Sequence, residues 1–257
     1  GQVFLSKHVY SKKEYAIKQI DTSNFSNEDL YNISRENLIL RSMIHKNVIR
    51  CYDSFAHNNK FYTVMDFAEG GELTYLLRDK GPLSEDEAKK IFKQIYEAVC
   101  CVHSRNIIHR DLKPNNILFL DKERTHIVII DFGISGMANG NQREKIKAGT
   151  TSFLPPEMVS GEEYSSNQKL DIWALGVILY YMVEGYYPLK RLPTHSYNSY
   201  YKNNQQNLMS KFKENGNNIN SIKTNIFGAV SSQKFERKHS LFLPLINSKN
   251  NNNNNPT

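Results

Sequence analysis

Short hydrophobic runs separated by polar turns dominate about the first quarter of the chain, with one longer stretch of helical spacing. Runs at 3–5 and 15–20 are rich in strand-favouring residues and flank a polar turn. Apolar residues recur mainly every three or four positions between 28 and 44, which predicts a helix. Runs at 48–55 and 61–67 predict a second hairpin. We therefore expect a small sheet accompanied by one helix.

Further along, the hydrophobic pattern becomes mainly helical. Ser84 followed by Glu87 forms a capping box, in which each side chain accepts a backbone N–H from the other residue. This pair predicts the start of a helix over 85–104. Residues 170–183 are almost wholly apolar, which predicts a buried helix.

The composition changes near Pro188. Residues 189–257 contain 16 Asn, and ten Lys/Arg against two Asp/Glu. Polar, weakly periodic sequence of this kind is typical of disorder, so we expect a largely disordered, basic tail that acts as a solvated linker. A site for acidic lipid, nucleic acid or calmodulin stays open for the tail. The rest of the chain holds 23 Lys/Arg and 24 Asp/Glu, so its charge predicts no nucleic-acid partner.

The three cysteines are Cys51, Cys100 and Cys101, and their spacing fits neither a metal site nor a disulfide framework. Reduced thiols are typical of intracellular proteins, so we expect an intracellular, cytoplasmic location. No window approaches the roughly 18 apolar residues that a membrane span needs. We therefore expect no membrane span.

Four polar residues have the types and spacing that phosphoryl transfer requires: an oriented hydroxyl, metal ions and cations for the phosphates. Asp111 follows the helix predicted over 85–104, and its carboxylate can orient a hydroxyl or accept its proton. Lys113 can reach a phosphate, and Asn116 offers a neutral oxygen suited to Mg²⁺. Asp131 directly follows a short apolar strand, so its carboxylate emerges at the strand end.

The motifs around these residues resemble those of a known family. Residues 109–116 read His-Arg-Asp-Leu-Lys-Pro-Asn-Asn, 131–133 read Asp-Phe-Gly, and 15–18 read Tyr-Ala-Ile-Lys, with Glu36 on the predicted helix. This set resembles the catalytic domain of eukaryotic-type serine/threonine protein kinases, most closely the calcium/calmodulin-dependent and calcium-dependent group. One such motif alone is often accidental, but the whole set in the family's order and spacing is not.

The resemblance implies an α+β, bilobal protein kinase fold. A small, β-rich N-lobe with one helix would cover 1–67, and a mostly helical C-lobe would cover 68–188. The Asn-rich tail of 189–257 would follow as a divergent region. In the C-lobe, Asp171 on the buried helix resembles the aspartate that anchors the backbone of the catalytic loop.

The resemblance also assigns catalytic roles. Asp111 would be the catalytic base toward Ser and Thr hydroxyls of protein substrates, and Lys113 marks the serine/threonine branch. Thr150 would bridge Asp111 and Lys113. Asn116 and Asp131 would bind Mg²⁺.

An ATP site is implied by the same resemblance. Lys18 would hold the α- and β-phosphates and pair with Glu36, and Gly1 would be the last glycine of the loop that covers the phosphates. The remaining residues would contact adenine or ribose: Val3, Ala16, Met65 (as gatekeeper), Asp66, Ala68, Glu72 and Leu118. Core packing alone also explains the apolar members of this set.

Two features predict substrate choice and regulation. Glu72 resembles the acid that contacts ribose or an arginine three residues before the target hydroxyl; a solvated glutamate at a helix start is an equal alternative. Asn115 stands where related kinases carry another acid, which predicts a single basic preference. Residues 141–147 contain no Ser, Thr or Tyr for Arg110 to bind as a phosphate. We hypothesise that Glu144 partly substitutes and that activity needs no phosphorylation there.

Two rival functions remain. A kinase fold can bind nucleotide without transferring phosphate, and the basic tail could make this an interaction protein. The intact set of Lys18, Glu36, Asp111, Asn116 and Asp131 favours the enzyme.

Overall fold

Four antiparallel strands form the first layer of the fold. The computed structural model describes residues 1–132, 136–137, 143–144, 151–155, 158 and 164–188. The sheet has the order β1-β2-β4-β3, formed by β1 Gln2–Lys7, β2 Glu14–Asp21, β3 Cys51–His57 and β4 Lys60–Asp66. Both predicted hairpins are present. Asn58 and Asn59 have φ of 48° and 55°, the left-handed pair that a two-residue turn between antiparallel strands requires.

The helix of this lobe is α1, Asn27–Ser42, which lies against the sheet. It begins at a capping box in which Ser26 and Asp29 each accept the other's backbone N–H. Its buried residues are Ile33, Asn37 and Leu40, one stripe at helical spacing. The helix ends before Ile44, the end expected from the sequence, because the backbone of Met43 is already extended.

Helices dominate the second lobe. They are α2 Leu73–Lys80, α3 Glu85–His103 and α4 Lys169–Glu184. The predicted capping box of Ser84 and Glu87 opens α3, whose buried stripe packs on α4. Helix α4 is buried around most of its circumference, as its apolar sequence predicts.

Short strands hold the loops that carry the polar residues. Strands β5 Gly71–Glu72, β7 Ile117–Phe119 and β8 Ile127–Ile129 form a three-stranded antiparallel sheet. Two further pairs join β6 Ile107–Ile108 to β9 Gly136–Met137, and β10 Arg143–Glu144 to β11 Tyr164–Ser165. A 3₁₀ turn, Pro114–Asn116, leads directly into β7, and another spans Thr151–Phe153.

The two lobes meet where Val48 pairs with Ile129 in a parallel bridge. The N–H of Ile49 donates to the carbonyl of Ile129 at 3.0 Å, and the N–H of Ile129 donates to the carbonyl of Asn47 at 2.9 Å. This bridge attaches the end of β8 to the segment between α1 and β3. The predicted tail at 189–257 lies outside the described residues. None of the helices among the described residues is long and apolar enough to span a membrane.

Candidate active site

The loop between β6 and β7 brings Asp111, Lys113 and Asn116 together. The ammonium Nζ of Lys113 lies 2.7 Å from Oδ2 of Asp111. Nδ2 of Asn116 donates to the backbone carbonyl of Asp111 at 2.8 Å and to its Oδ2 at 3.1 Å. These contacts exist because the 3₁₀ turn folds Asn116 back over the loop. The Asp111 side chain keeps 14% of its surface exposed, so it can still reach a substrate.

The carboxylate of Asp171 on α4 binds the backbone at the start of this loop. Its Oδ2 accepts the backbone N–H of His109 and its Oδ1 accepts that of Arg110, both at 2.9 Å. Nε2 of His103 lies 2.7 Å from the same Oδ2. The Asp171 side chain is 1% exposed, and these hydrogen bonds compensate for burying its charge. Arg110 has a φ of 69°, a left-handed conformation that such anchoring maintains.

Asp131 lies beside the catalytic loop, two residues after the end of β8. The N–H of Ile130 donates to the backbone carbonyl of Asn116 at 2.9 Å, which keeps the two segments together. Asp131 has a φ of 66°, a left-handed conformation unusual for a residue other than glycine. Phe132 is buried, with its ring centroid 4.9 Å from that of His109. While the phenyl ring of Phe132 is buried, the side chain of Asp131 keeps 44% of its surface exposed.

Lys18 on β2 faces two carboxylates from different elements. Its Nζ lies 3.2 Å from Oε1 of Glu36 on α1 and 3.8 Å from Oδ1 of Asp131. Lys18 therefore links α1 to the loop after β8. A half-buried ammonium group between two acids, with 28% of its side chain exposed, can bind a polyanion.

The residues predicted to surround adenine lie on neighbouring strands. In the β-ladders, Val3 pairs with Lys18 and Ala16 pairs with Met65. Ala16 is buried, Met65 and Leu118 are half-buried, and Val3 is 65% exposed. Gly1, just before β1, is exposed.

The segment after β4 connects the lobes. Asp66 donates its N–H to the carbonyl of Arg50 at 3.1 Å, and Glu69 donates its N–H to the carbonyl of Leu120 at 3.3 Å. Among the described residues, no hydrogen bond involves the backbone of Phe67 or Ala68. Their peptide groups can therefore bind a ligand.

Comparison with known proteins agrees with this geometry. Residues 1–243 match the protein kinase domain family, so the match continues past the change of composition at Pro188. The chain belongs to this family.

Relatives of this kinase domain include serine/threonine kinases. Calcium-dependent protein kinase 5 of Plasmodium berghei is 41% identical over 174 residues, which are 67% of this chain and 30% of the relative. Its counterpart in Plasmodium falciparum is 40% identical over 189 residues, 73% of this chain and 32% of the relative. Serine/threonine-protein kinase kin-29 of Caenorhabditis elegans is 36% identical over 186 residues, 72% of this chain and 22% of the relative. The chain thus spans a third or less of each relative's length.

The metal ligands expected in a kinase domain fit the residues present. Nδ2 of Asn116 is engaged by Asp111, whereas its Oδ1 has no hydrogen-bond partner among the described residues. An amide oxygen and the exposed carboxylate of Asp131 suit Mg²⁺, which takes one or two protein ligands and completes its shell with phosphate and water. The described residues hold no cluster of three or more His, Cys, Asp or Glu that could bind a metal unaided.

Glu72, at the end of β5, contacts Asn115 of the catalytic loop. Nδ2 of Asn115 donates to Oε2 of Glu72 at 2.9 Å. Glu72, the predicted acid, and Asn115, which stands where related kinases carry another acid, are thus hydrogen-bonded to each other. The predicted residues Thr150 and Gly133 lie outside the described residues, as does the side chain of Glu144.

Two sets of contacts in the structure were not predicted from the sequence. Nδ2 of Asn47 donates to Oε1 of Gln94 at 2.9 Å and to the carbonyl of Ile127 at 2.8 Å, which ties the loop after α1 to α3 and β8. The second set joins Lys13, Tyr52 and Asp66, where the hydroxyl of Tyr52 donates to Asp66 at 2.7 Å. Gln94 belongs to no motif, so nothing in the sequence pairs it with Asn47.

Proposed function

We propose that this protein is a serine/threonine protein kinase that transfers the γ-phosphate of Mg·ATP to Ser or Thr hydroxyls of protein substrates. One observation carries the proposal: Lys18 contacts Glu36 and Asp131, while Lys113 and Asn116 both contact Asp111 in the adjoining loop. Such an arrangement supplies the groups that phosphoryl transfer needs.

Each catalytic residue has a separate role in this proposal. The carboxylate of Asp111 orients the substrate hydroxyl and accepts its proton. Lys113, 2.7 Å from that carboxylate, neutralises charge on the transferred phosphate. Asn116 and Asp131 would hold Mg²⁺, which would supply charge neutralisation for the phosphates. The family resemblance also assigns to Thr150, which lies outside the described residues, a bridging role between Asp111 and Lys113.

The nucleotide lies between the sheet and the catalytic loop. Lys18, positioned by Glu36, binds the α- and β-phosphates, and Gly1 lies at the end of the loop that covers them. Three apolar side chains sandwich adenine, those of Val3, Ala16 and Leu118, and Met65 is the gatekeeper. The backbone of the connecting segment, formed by Asp66, Phe67 and Ala68, binds the adenine edge, and Glu72 binds the ribose or the substrate.

Replacement of the catalytic base tests the proposal. Transfer of radiolabel from ATP to a generic basic protein would be measured for this chain and for a chain extended upstream of Gly1, each with and without Asp111→Asn. Asp79→Asn, an exposed acid on α2, is the matched control. We expect Asp111→Asn to lower the rate about 10²- to 10⁴-fold and the control to leave it unchanged. Nucleotide binding without transfer in the extended chain would identify a binding module instead.

We also propose a preference for one basic residue three positions before the target hydroxyl. Glu72 is a carboxylate at the mouth of the site, and Asn115 occupies one of its oxygens with a neutral donor. The other oxygen of Glu72 has no hydrogen-bond partner among the described residues, which suits a single guanidinium. Peptides with Arg or Ala at that position would be compared with wild-type protein and with Glu72→Gln; equal kcat/KM for both peptides in the wild type would refute the preference.

Activity without phosphorylation of 141–147 is a further part of the proposal. Asp171 holds the backbone of Arg110, and Nη2 of Arg110 donates to the buried hydroxyl of Ser166 at 2.6 Å. These contacts support the catalytic loop without a phosphate. Recombinant protein should keep its activity after phosphatase treatment, and complete loss would contradict the hypothesis.

The free thiols of Cys51, Cys100 and Cys101 agree with the proposed intracellular, cytoplasmic location.

A further inference from the structure

A polar cluster of Lys13, Tyr52 and Asp66 lies in the N-lobe at the end of β4, where the segment that connects the two lobes begins. The hydroxyl of Tyr52 donates to Oδ1 of Asp66 at 2.7 Å, and Nζ of Lys13 donates to the same hydroxyl at 3.0 Å. Nζ of Lys13 is also 3.7 Å from Oδ1 of Asp66. The tyrosine hydroxyl is therefore held between a cation and an anion, an arrangement that strengthens both hydrogen bonds.

A β-bulge directs Tyr52 into this position. The pairing of β3 with β4 shifts between Cys51 and Asp53, so Tyr52 is the extra residue of β3. A bulge re-aims a side chain that would otherwise follow the strict alternation of the strand. Here it turns Tyr52 toward Asp66, the last residue of β4.

Aromatic packing fixes the ring of Tyr52. Its centroid is 5.0 Å from that of Tyr15 in an edge-to-face contact, and Nζ of Lys13 lies 5.0 Å from the Tyr52 centroid. The guanidinium of Arg50 lies 5.3 Å from the same centroid. Hydrogen bonding to Tyr52 raises the pKa of Lys13 above its ordinary value, so the cation stays charged. Because the ring is held by these contacts, the hydroxyl has a fixed direction.

Asp66 is thus held twice, through its N–H on the carbonyl of Arg50 just before β3 and through its carboxylate on Tyr52 of β3. At the other end of the connecting segment, the N–H of Gly70 donates to the carbonyl of Phe119 at 3.0 Å. Between these anchors, Phe67 and Ala68 make no backbone hydrogen bond to another described residue. Their orientation therefore depends on the anchors at each end.

We propose that Tyr52 is a positioning residue for the nucleotide site: its hydrogen bond to Asp66, supported by Lys13, fixes the peptide groups of Phe67 and Ala68 for binding the adenine edge. This inference rests on the proposed function, because it assigns these peptide groups to ATP. Tyr52 touches neither nucleotide nor substrate and acts only through Asp66.

Tyr52→Phe tests the proposal because it keeps the ring and removes only the hydroxyl. Tyr62→Phe is the matched control, since Tyr62 lies in the same hairpin, stacks on Phe55 at 5.2 Å and makes no hydroxyl hydrogen bond among the described residues. Steady-state kinetics would give KM for ATP, KM for peptide and kcat. We expect Tyr52→Phe to raise KM for ATP about two- to tenfold, the effect of one lost hydrogen bond, with kcat and peptide KM unchanged. The control should match the wild type.

Amide hydrogen exchange without nucleotide gives a second readout. The N–H group of Asp66, which donates to the carbonyl of Arg50, should exchange faster in Tyr52→Phe than in the wild type or in Tyr62→Phe, because one of the two anchors of this residue is lost. Asp66→Ala should produce the same change, and the double variant should exchange no faster than either single one. Unchanged exchange in Tyr52→Phe, or an equal loss of kcat and of affinity for both substrates, would overturn the proposal. A wild-type protein that binds no ATP would refute the proposed function, and exchange would still decide the role of Tyr52.

Discussion

The carboxylate of Asp171 accepts the backbone N–H of His109 at 2.9 Å across 62 positions of sequence. The same side chain holds Arg110 and His103, so α4 determines the conformation of the catalytic loop. We predict that Asp171→Asn destabilises the protein by about 3 kcal/mol, because its amide NH₂ would face a backbone donor and the buried hydrogen bonds would be lost. Urea unfolding measures this change.

Glu184→Gln is the control for this variant. Glu184 is a half-buried acid in the last turn of the same helix and makes no hydrogen bond or ion pair with another described side chain. It should change the free energy of unfolding by less than about 0.5 kcal/mol. Similar effects of the two substitutions would show that the contacts of Asp171 do not support the loop.

Removing the charge of Glu36 from its ion pair with Lys18 should affect ATP binding more than stability. With 28% and 13% of the two side chains exposed, water screens the pair, so Glu36→Gln should cost less than about 1 kcal/mol of stability. Its main effect should be on the nucleotide, because Lys18 would turn toward Asp131, now 3.8 Å away. We expect about a tenfold weaker affinity for ATP, measured by titration calorimetry. Glu28→Gln in the exposed first turn of α1 should leave the affinity unchanged, and equal losses would refute the assignment.

The catalytic loop could be predicted from sequence because its parts are local. Asp111, Lys113 and Asn116 lie within six positions, so the loop itself brings them together. The contact between Lys18 and Glu36 crosses two elements, and it was expected only through the family resemblance. In both places the structure brings the predicted residues together.

Other features have no sequence signal. The run at 48–55 predicts a strand, but such a run does not reveal that one residue is bulged, and the bulge is what turns Tyr52 toward Asp66. The pairing of Asn47 with Gln94 depends on the packing of α3 against the loop after α1. The end of α1 was expected at 44, yet the helix ends at Ser42, because the last apolar positions belong to the turn that follows.

The surroundings of Gly70 and Gly176 predict that substitution by alanine has opposite effects on stability at the two positions. A Cβ on Gly70 would lie 2.2 Å from the carbonyl oxygen of Asp121 and 2.5 Å from Cβ of Phe119. Neither neighbour can move freely, so Gly70→Ala should destabilise the protein by about 3 kcal/mol. Gly176 lies in α4 with open space at its Cβ position, so Gly176→Ala should stabilise by about 0.5–1 kcal/mol. Urea unfolding of both variants measures the sign of each change in stability. An unchanged stability of Gly70→Ala would mean that the chain around Phe119 and Asp121 moves to accommodate the added Cβ.

The N-terminus of α3 predicts a pH dependence of stability. The ammonium group of Lys80 and the hydrogen bonds from Ser84 lower the pKa of Glu87 to about 2. A carboxylate whose pKa is lower in the folded state stabilises the protein above its unfolded pKa, which is about 4.3. This contribution is lost as the pH falls from about 4.5 toward 2. The difference in unfolding free energy between the wild type and Glu87→Gln should therefore be constant above about pH 5.5 and shrink by pH 3.5.

Urea unfolding at a series of pH values measures this difference. Lys80→Met removes the largest cause of the shift, so its stability should depend less steeply on pH than that of the wild type in the same window. The capping hydrogen bonds from Ser84 remain in that variant, which separates the ion pair from the cap. A difference between wild type and Glu87→Gln that stays constant from pH 5.5 to 3.5 would show that the carboxylate has an ordinary pKa and that the cap acts without its charge.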